Sequence, residues 1–391
     1  MKTHTTLNSL LYLSALTLLG TACSDSFNPA TPHAVARNGV AASQAASGVA
    51  TPIVFDQQAV LLNIGGPWPA GGTHVGLQFS QNPHLGDAII ATFVWRGSTN
   101  TITTVTDHLH GGTPVGNTYT LMDYVTADGW SMATYVATDV RNFPETAGSP
   151  DQLLAVHAIF SDDITEGGEM ISAYSGVSPG FAQAVSAHHG ASGNGSTTTI
   201  ASPGALPVDA GSLTYGVTMA DAIVNYSRPA DFSSLNWITD QTLTLDGEYA
   251  LASAPGTVEP QWTWSFQQLS TWFVNAVELK PQTATHLVFV VQPSNTLLPG
   301  STIAPAVQVV ALDDQGNTVT GFTGPMTIAI DHDGSLLKNA QLSGTKTATP
   351  ANGVATFSNL SIDQVGMGYT LQATATNLNG VTSNPFNVTV P

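Results

Sequence analysis

Between Pro52 and Lys280 the apolar residues come in runs of strand length, each closed by glycine, proline or asparagine. No stretch there carries a convincing helical spacing of apolar residues, so the chain is restricted to antiparallel β architecture. Ala88-Ile-Ile-Ala-Thr-Phe-Val-Trp95 is apolar almost throughout and reads as a buried strand. Thr101-Ile-Thr-Thr-Val-Thr-Asp107 alternates, as a strand with one wet face does. Ile53-Val-Phe55 and Ala59-Val-Leu-Leu-Asn-Ile64 are two further runs, the second ended by Gly65-Gly66-Pro67. Short strands with turn signals between them, over about 230 residues, predict a sandwich or closed barrel.

The charge balance narrows the partners. Eight basic residues stand against 26 acidic ones, a net charge of −18. Nucleic acid and anionic lipid headgroups are repelled by such a surface. One cysteine excludes an internal disulfide, so stability must come from burial. No cofactor is specified; calcium is the one ion an acidic surface of this kind would collect.

The N-terminus sets the compartment. Lys2 precedes an apolar run to Leu19 that is too short to span a bilayer, and small residues then lead into Cys23. This resembles a bacterial lipoprotein signal, in which residues 1–22 are removed and Cys23 carries the lipid. One departure is Gly20 in the place where such signals carry leucine, with Leu19 one position earlier. An ordinary signal peptide cut near Ala22 fits the same small residues, and both readings export the chain. Residues 23–51, rich in Ala, Ser and Gly, read as a flexible spacer.

The phrases from Gly86 to Asp123, "ATYVATDV", "ISAYSGVSPGFAQAVSA" and "WFVNAVELKP" resemble, in that order, a module of secreted bacterial proteins. That module is similar to concanavalin A-like jelly rolls. The resemblance implies two antiparallel sheets packed face to face over residues 52–281, with no fixed activity. Its departure is an enlarged loop over 107–117, where the module has a tight turn. From Ala284 the chain resembles the bacterial immunoglobulin-like repeat, essentially end to end. Leu287-Val-Phe-Val-Val291 and Ala355–Ile362 alternate, Asp314-Gln-Gly-Asn317 makes a hairpin turn, and the length suits one Greek-key domain over 284–391.

Candidate chemistry is sparse. Gly176-Val-Ser-Pro-Gly180 matches the esterase elbow, but Pro179 has no N–H for an oxyanion hole and no helical pattern follows, so it reads as a turn. Laminarinase-type jelly rolls carry Glu-x-Asp-x-x-Glu along one strand, which sets the acids on one face of a cleft, and that string does not occur here. The nearest acids, Asp162-Asp163 and Glu166-Gly-Gly-Glu169, read as a solvated connection. His108 and His110 would share a strand face or sit in the enlarged loop; His157, His188, His189 and Asp107 are the groups that would complete a metal site with them. Asp331-His-Asp333-Gly334 lacks the closing glutamate of a calcium loop and reads as a turn. Trp68, Trp130 and Trp237 fall in loops, where a ring stacks on a sugar or packs over the end of the sandwich.

The expectation is an exported, lipid-anchored surface protein with a non-catalytic binding or adhesion role. Its partner is a glycan or a cell-surface protein, and the membrane is met through the anchor alone. The alternatives are an envelope polysaccharide hydrolase and a purely structural surface protein.

Overall fold

A computed structural model describes residues 48–68, 77–97, 99–240, 242–296 and 298–390, the side chains of 63–68 excepted. The expected signal segment 1–22, Cys23 and the expected spacer up to residue 47 lie outside the described residues. The chain is all-β and antiparallel, as the punctuated runs require.

Its centre is a five-stranded sheet in the order Val54–Trp68, Ile164–Ser175, Ala88–Arg96, Trp130–Ala137, Thr120–Ala127. Ala88–Arg96 explains the architecture. Ala88, Ile90 and Val94 point to one core, and Ile89, Ala91, Phe93 and Trp95 to another. A strand covered on both faces must be apolar at consecutive positions, and this one is. On the first face lies a six-stranded sheet whose main path runs Val185–Gly195, Ser270–Leu279, Leu213–Ala220, Thr244–Leu251, Ser233–Ser234. Its Tyr215, Val217, Met219, Phe273 and Val277 meet Met170 and Tyr174 of the centre. On the second face Leu77–Gln78, Leu154–Phe160 and Ile102–Leu109 form a three-stranded sheet. Its Val105, Leu154, Val156 and Phe160 close over Phe93 and Trp95. Besides the two larger sheets packed face to face, a small third sheet thus covers the outer face of the central one. A further small sheet, built on Trp262–Ser265, encloses Trp262 and Trp264 with Val274 and Ala220.

Three local expectations are corrected. The two runs before Gly65-Gly66-Pro67 form one strand, Val54–Trp68, with a register shift between Ile64 and Trp68. It is an edge strand, and Pro67 falls within that register shift, where it has no ladder partner to lose. Glu166-Gly-Gly-Glu169 is no solvated connection but part of Ile164–Ser175, flanked by strands on both sides. A Cβ at Gly168 would stand 2.4 Å from the Leu62 side chain, so the glycine there serves close packing. The end of the spacer is also ordered: Val49–Ala50 pairs with Thr283–Ala284.

Residues 284–388 enclose a core of their own, with Leu287, Val309, Ile328, Phe357, Leu371 and Phe386 at its centre. One sheet there is His286–Val291, Val307–Leu312, Val354–Phe357. The other runs Thr347–Ala348, Met326–His332, Gly366–Thr374, Val381–Thr382, with Phe386–Val388 also on Gly366–Thr374. The hairpin turn forms as expected: the Asp313 carboxylate accepts the N–H groups of Gln315 and Asn317, and Gly316 takes φ +83°. The two segments that join the regions run side by side. Thr51 donates its hydroxyl to the carbonyls of Gly176 and Gln282, and Gln282 donates to Asp313 at 3.2 Å.

Candidate functional site

The most polar concavity that contains an expected site residue lies where the central and six-stranded sheets end together. It measures about 410 Å³ and is lined by Arg96, Asp128, Trp130, Asp221, Thr242 and Gln268, among others. Each side chain arrives for a local reason. Arg96 is the last residue of Ala88–Arg96, directly opposite Trp130. Asp128-Gly129 closes the hairpin between Thr120–Ala127 and Trp130–Ala137, with φ of +46° and +81°. That pair of positive angles suits a two-residue turn. Asp221 follows Leu213–Ala220, and its backbone N–H donates to the carbonyl of Thr271.

The turn corrects one expectation. Because the hairpin is so tight, Trp130 begins a strand instead of occupying a loop, and it is 3% exposed. It belongs to the core with Val94, Met122 and Met132. The Arg96 guanidinium lies 5.6 Å from its ring centroid and covers it. Trp130 is therefore the floor under Arg96, and sugar stacking on its face is blocked.

Polar groups converge above that floor. Arg96 reaches Glu166 at 3.5 Å, and Thr242 donates to the same carboxylate. Thr271 joins the two aspartates: its hydroxyl donates to Asp128 at 2.8 Å and its N–H to Asp221 at 2.6 Å. Asn194 also donates to Asp128, at 2.7 Å. The two acids are pushed apart in acidity. Hydrogen bonds from Asn194 and Thr271 hold Asp128 below its ordinary range. Burial raises Asp221, with the negative charge of Asp128 adding to it against the Thr271 N–H. Arg96 has Glu166 as partner, so the aspartates face the concavity without a cation of their own among its lining residues.

The other expected residues do not meet here. Trp237 is exposed, at 54%, and touches Tyr226 edge-on with centroids 6.3 Å apart. Trp68 ends the first edge strand instead of lying in a loop, and its side chain is outside the described residues. His108 sits inside Ile102–Leu109, not in an enlarged loop, and its ring packs against His157 at 4.7 Å. His157 bonds Thr106 through Nε2 at 3.0 Å. His110 is exposed beyond the strand end, with its N–H on the Leu153 carbonyl. His188 pairs with Asp123 at 3.2 Å, on another sheet from His108. The expected histidine cluster thus reduces to the His108–His157 pair. Asp107 does not complete it. Its carboxylate accepts both N–H groups of Gly116 and Asn117 and the side-chain amide of Asn117, which holds residues 113–119 against the strand.

Sequence reasoning misplaced one buried carboxylate, Glu169, and missed two others, Asp246 and Glu248. Glu169 is 2% exposed, accepts the Leu77 N–H at 3.2 Å, and is raised well above the ordinary range by burial. Asp246 and Glu248 stand two apart on Thr244–Leu251 and so share a face, the arrangement sought in vain among the acids of 162–169. Both are fully buried. Asp246 accepts two bonds from Arg228 and one from the Trp262 indole at 2.7 Å. Burial pushes Glu248 up to about 8, and the Gln261 N–H at 3.1 Å pulls against that. Asp246-Gly-Glu248 inside a strand was the available signal.

Ser178 is not an elbow nucleophile: Gly176 turns at φ +78°, Val177 bridges to Pro281, and one helical turn, Phe181–Ala184, follows. Asp331 and His332 end the strand Met326–His332 instead of lying in a turn, and Asp333 just beyond them accepts the N–H groups of Ser335 and Ala340. No family model, no curated protein and no solved structure matches this chain. Function is therefore read from the site alone.

Proposed function

We propose that this chain is an exported surface protein that recognises a glycan, without cleaving it, in the concavity of Arg96, Asp128, Asp221, Thr242 and Gln268. The observation that carries the reading is the mixture of one guanidinium, two carboxylates, a hydroxyl and an amide around a single opening. Sugar hydroxyls are matched by donors and acceptors set close together in this way. The fold is read as a jelly roll over 52–281 followed by an immunoglobulin-like domain over 284–391, which serves as spacer or second contact. Lipid on Cys23 tethers the protein, and the net charge of −18 turns it away from nucleic acid. Display of the full chain on a broad glycan array tests the reading. A retained oligosaccharide, lost in Asp221→Asn and Arg96→Ala, is expected. Silence across the array overturns it in favour of a structural surface protein.

A second reading, polysaccharide hydrolysis, has one observation in its favour: Asp128 and Asp221 share Thr271 while their acidities are driven in opposite directions. One acid held ionised beside one raised in pKa is the division of labour that glycosidic cleavage needs. Release of reducing ends by the wild type, abolished in Asp221→Asn, decides for it.

A further inference from the structure

At the other end of the central sheet a second group of donors converges on one point. Asp56 lies in the edge strand Val54–Trp68, and His84 and Asp87 lie in the turn that feeds Ala88–Arg96. One carboxylate oxygen from each aspartate and a ring nitrogen of His84 all lie within 4.8 Å of one another. The Nδ1 of His84 stands 3.4 Å from Asp56 Oδ2 and 4.0 Å from Asp87 Oδ2. Around an ion with bonds of about 2.0–2.2 Å, tetrahedral neighbours are roughly 3.3–3.6 Å apart, so the set is nearly at coordination spacing.

Two further features make this more than a patch of acids. Asp56 Oδ2 is a buried atom that accepts no hydrogen bond. The Asp87 side chain is 2% exposed and faces Asp56, with the His84 backbone N–H as its donor at 3.1 Å. Burying two carboxylates against each other is costly unless a proton or a cation lies between them. Room for water ligands is at hand. A cavity of about 440 Å³ opens on Asp56, His84, Asn82 and Glu145, and another of about 350 Å³ opens on His84 and Asp87. The second is also lined by Thr320, Gly321 and Asn352 of the C-terminal region.

We infer that Asp56, His84 and Asp87 bind a divalent first-row transition ion, of the manganese or zinc class, on the lip of the cavity between the two regions. One imidazole with two carboxylates suits such ions, whereas calcium takes six to eight oxygens. The ion lies between the aspartates and fastens the edge strand to the turn ahead of the central strand. The reading is independent of the glycan site, since the two share no residue.

The test uses the full chain, stripped with chelator and titrated with MnCl2 or ZnCl2 by calorimetry and thermal unfolding near pH 7.5. One equivalent binds, and the unfolding midpoint rises by roughly 5 °C at hundredfold excess over Kd. Asp87→Asn, close in shape to the protonated side chain, folds and weakens binding at least tenfold, as does Asp56→Asn. His84→Ala, at an exposed position, weakens manganese and zinc at least tenfold but leaves any calcium binding unchanged. The inference is overturned if neither ion binds, which leaves a shared proton only. It is equally overturned if the double variant Asp56→Asn/Asp87→Asn binds like the wild type, which places the ions elsewhere on the acidic surface.

Discussion

The two sandwich regions of this chain spend their interiors differently. Among the described residues of 284–390 the buried carboxylate is Asp313, satisfied by the backbone of its own turn. In residues 52–281 Asp87, Asp107, Glu166, Glu169, Asp246, Glu248 and Glu278 are all buried. Buried charge is tolerated only with partners, and it is rarely placed without a reason. Some of these acids fasten one segment to another, as Glu278 does through Ser186 and Ser212. Others gather at the concavity and at the Asp56–Asp87 pair. The contrast separates a region that is chiefly packing from a region that carries titratable groups beside open concavities.

The sharpest way to break that contrast is to cut each core alone. Phe357→Ala and Trp95→Ala remove side chains that are almost wholly buried, in separate cores. Each costs about 3–5 kcal/mol. If the cores are energetically separate, Phe357→Ala lowers one urea transition and leaves the other in place, whereas a single shared transition that moves in both variants joins them.

The next effect is pH dependence. Glu248 and Asp87 are each raised to about 8 in the folded chain, from 4.5 and 3.8. Folding therefore favours their protonated forms. That stabilisation is complete below the unfolded values and is lost as pH climbs through about 8, at up to about 1.4 kcal/mol per pH unit for each group. The first region should melt lower at pH 8.5 than at pH 5 while the C-terminal region changes little. Glu248→Gln should flatten the curve; an unchanged slope removes Glu248 from the account.

A smaller effect is expected at the concavity. Arg96→Ala uncovers Trp130 and releases Glu166, and it should shift stability by less than about 1 kcal/mol because the Arg96 side chain is largely exposed and Glu166 keeps the Thr242 hydroxyl. Glycan retention should nonetheless fall at least tenfold. The smallest effect belongs to Leu336→Ser in the C-terminal region. With the side chain 94% exposed, the unfolding free energy should change by under about 0.5 kcal/mol, and a larger loss would reveal packing at that tip.

Ala88–Trp95 shows what could be read from the chain alone. Its nearly unbroken apolar run, seven residues of eight, reports burial because side chains of a strand alternate between faces, so apolar neighbours in succession demand cover on both. The turn at Asp313–Asn317 and the alternation of Val354–Phe357 were legible for the same reason, since each depends on residues close in sequence. Gly-Gly between Glu166 and Glu169 misled because glycine serves a turn and a close strand contact equally well. Trp130 misled because a tight turn leaves no loop for the residue after it.

What local residue order determined, then, is the β class, the buried strands and the turns: steric and hydrophobic preferences of neighbours settle these. Only the tertiary structure decided that Arg96, Asp128 and Asp221 face one opening, that Asp56 meets Asp87, and that the central sheet is covered twice. Those meetings depend on which strands pair and in what register, and period 2 names the face of a strand without naming its partner.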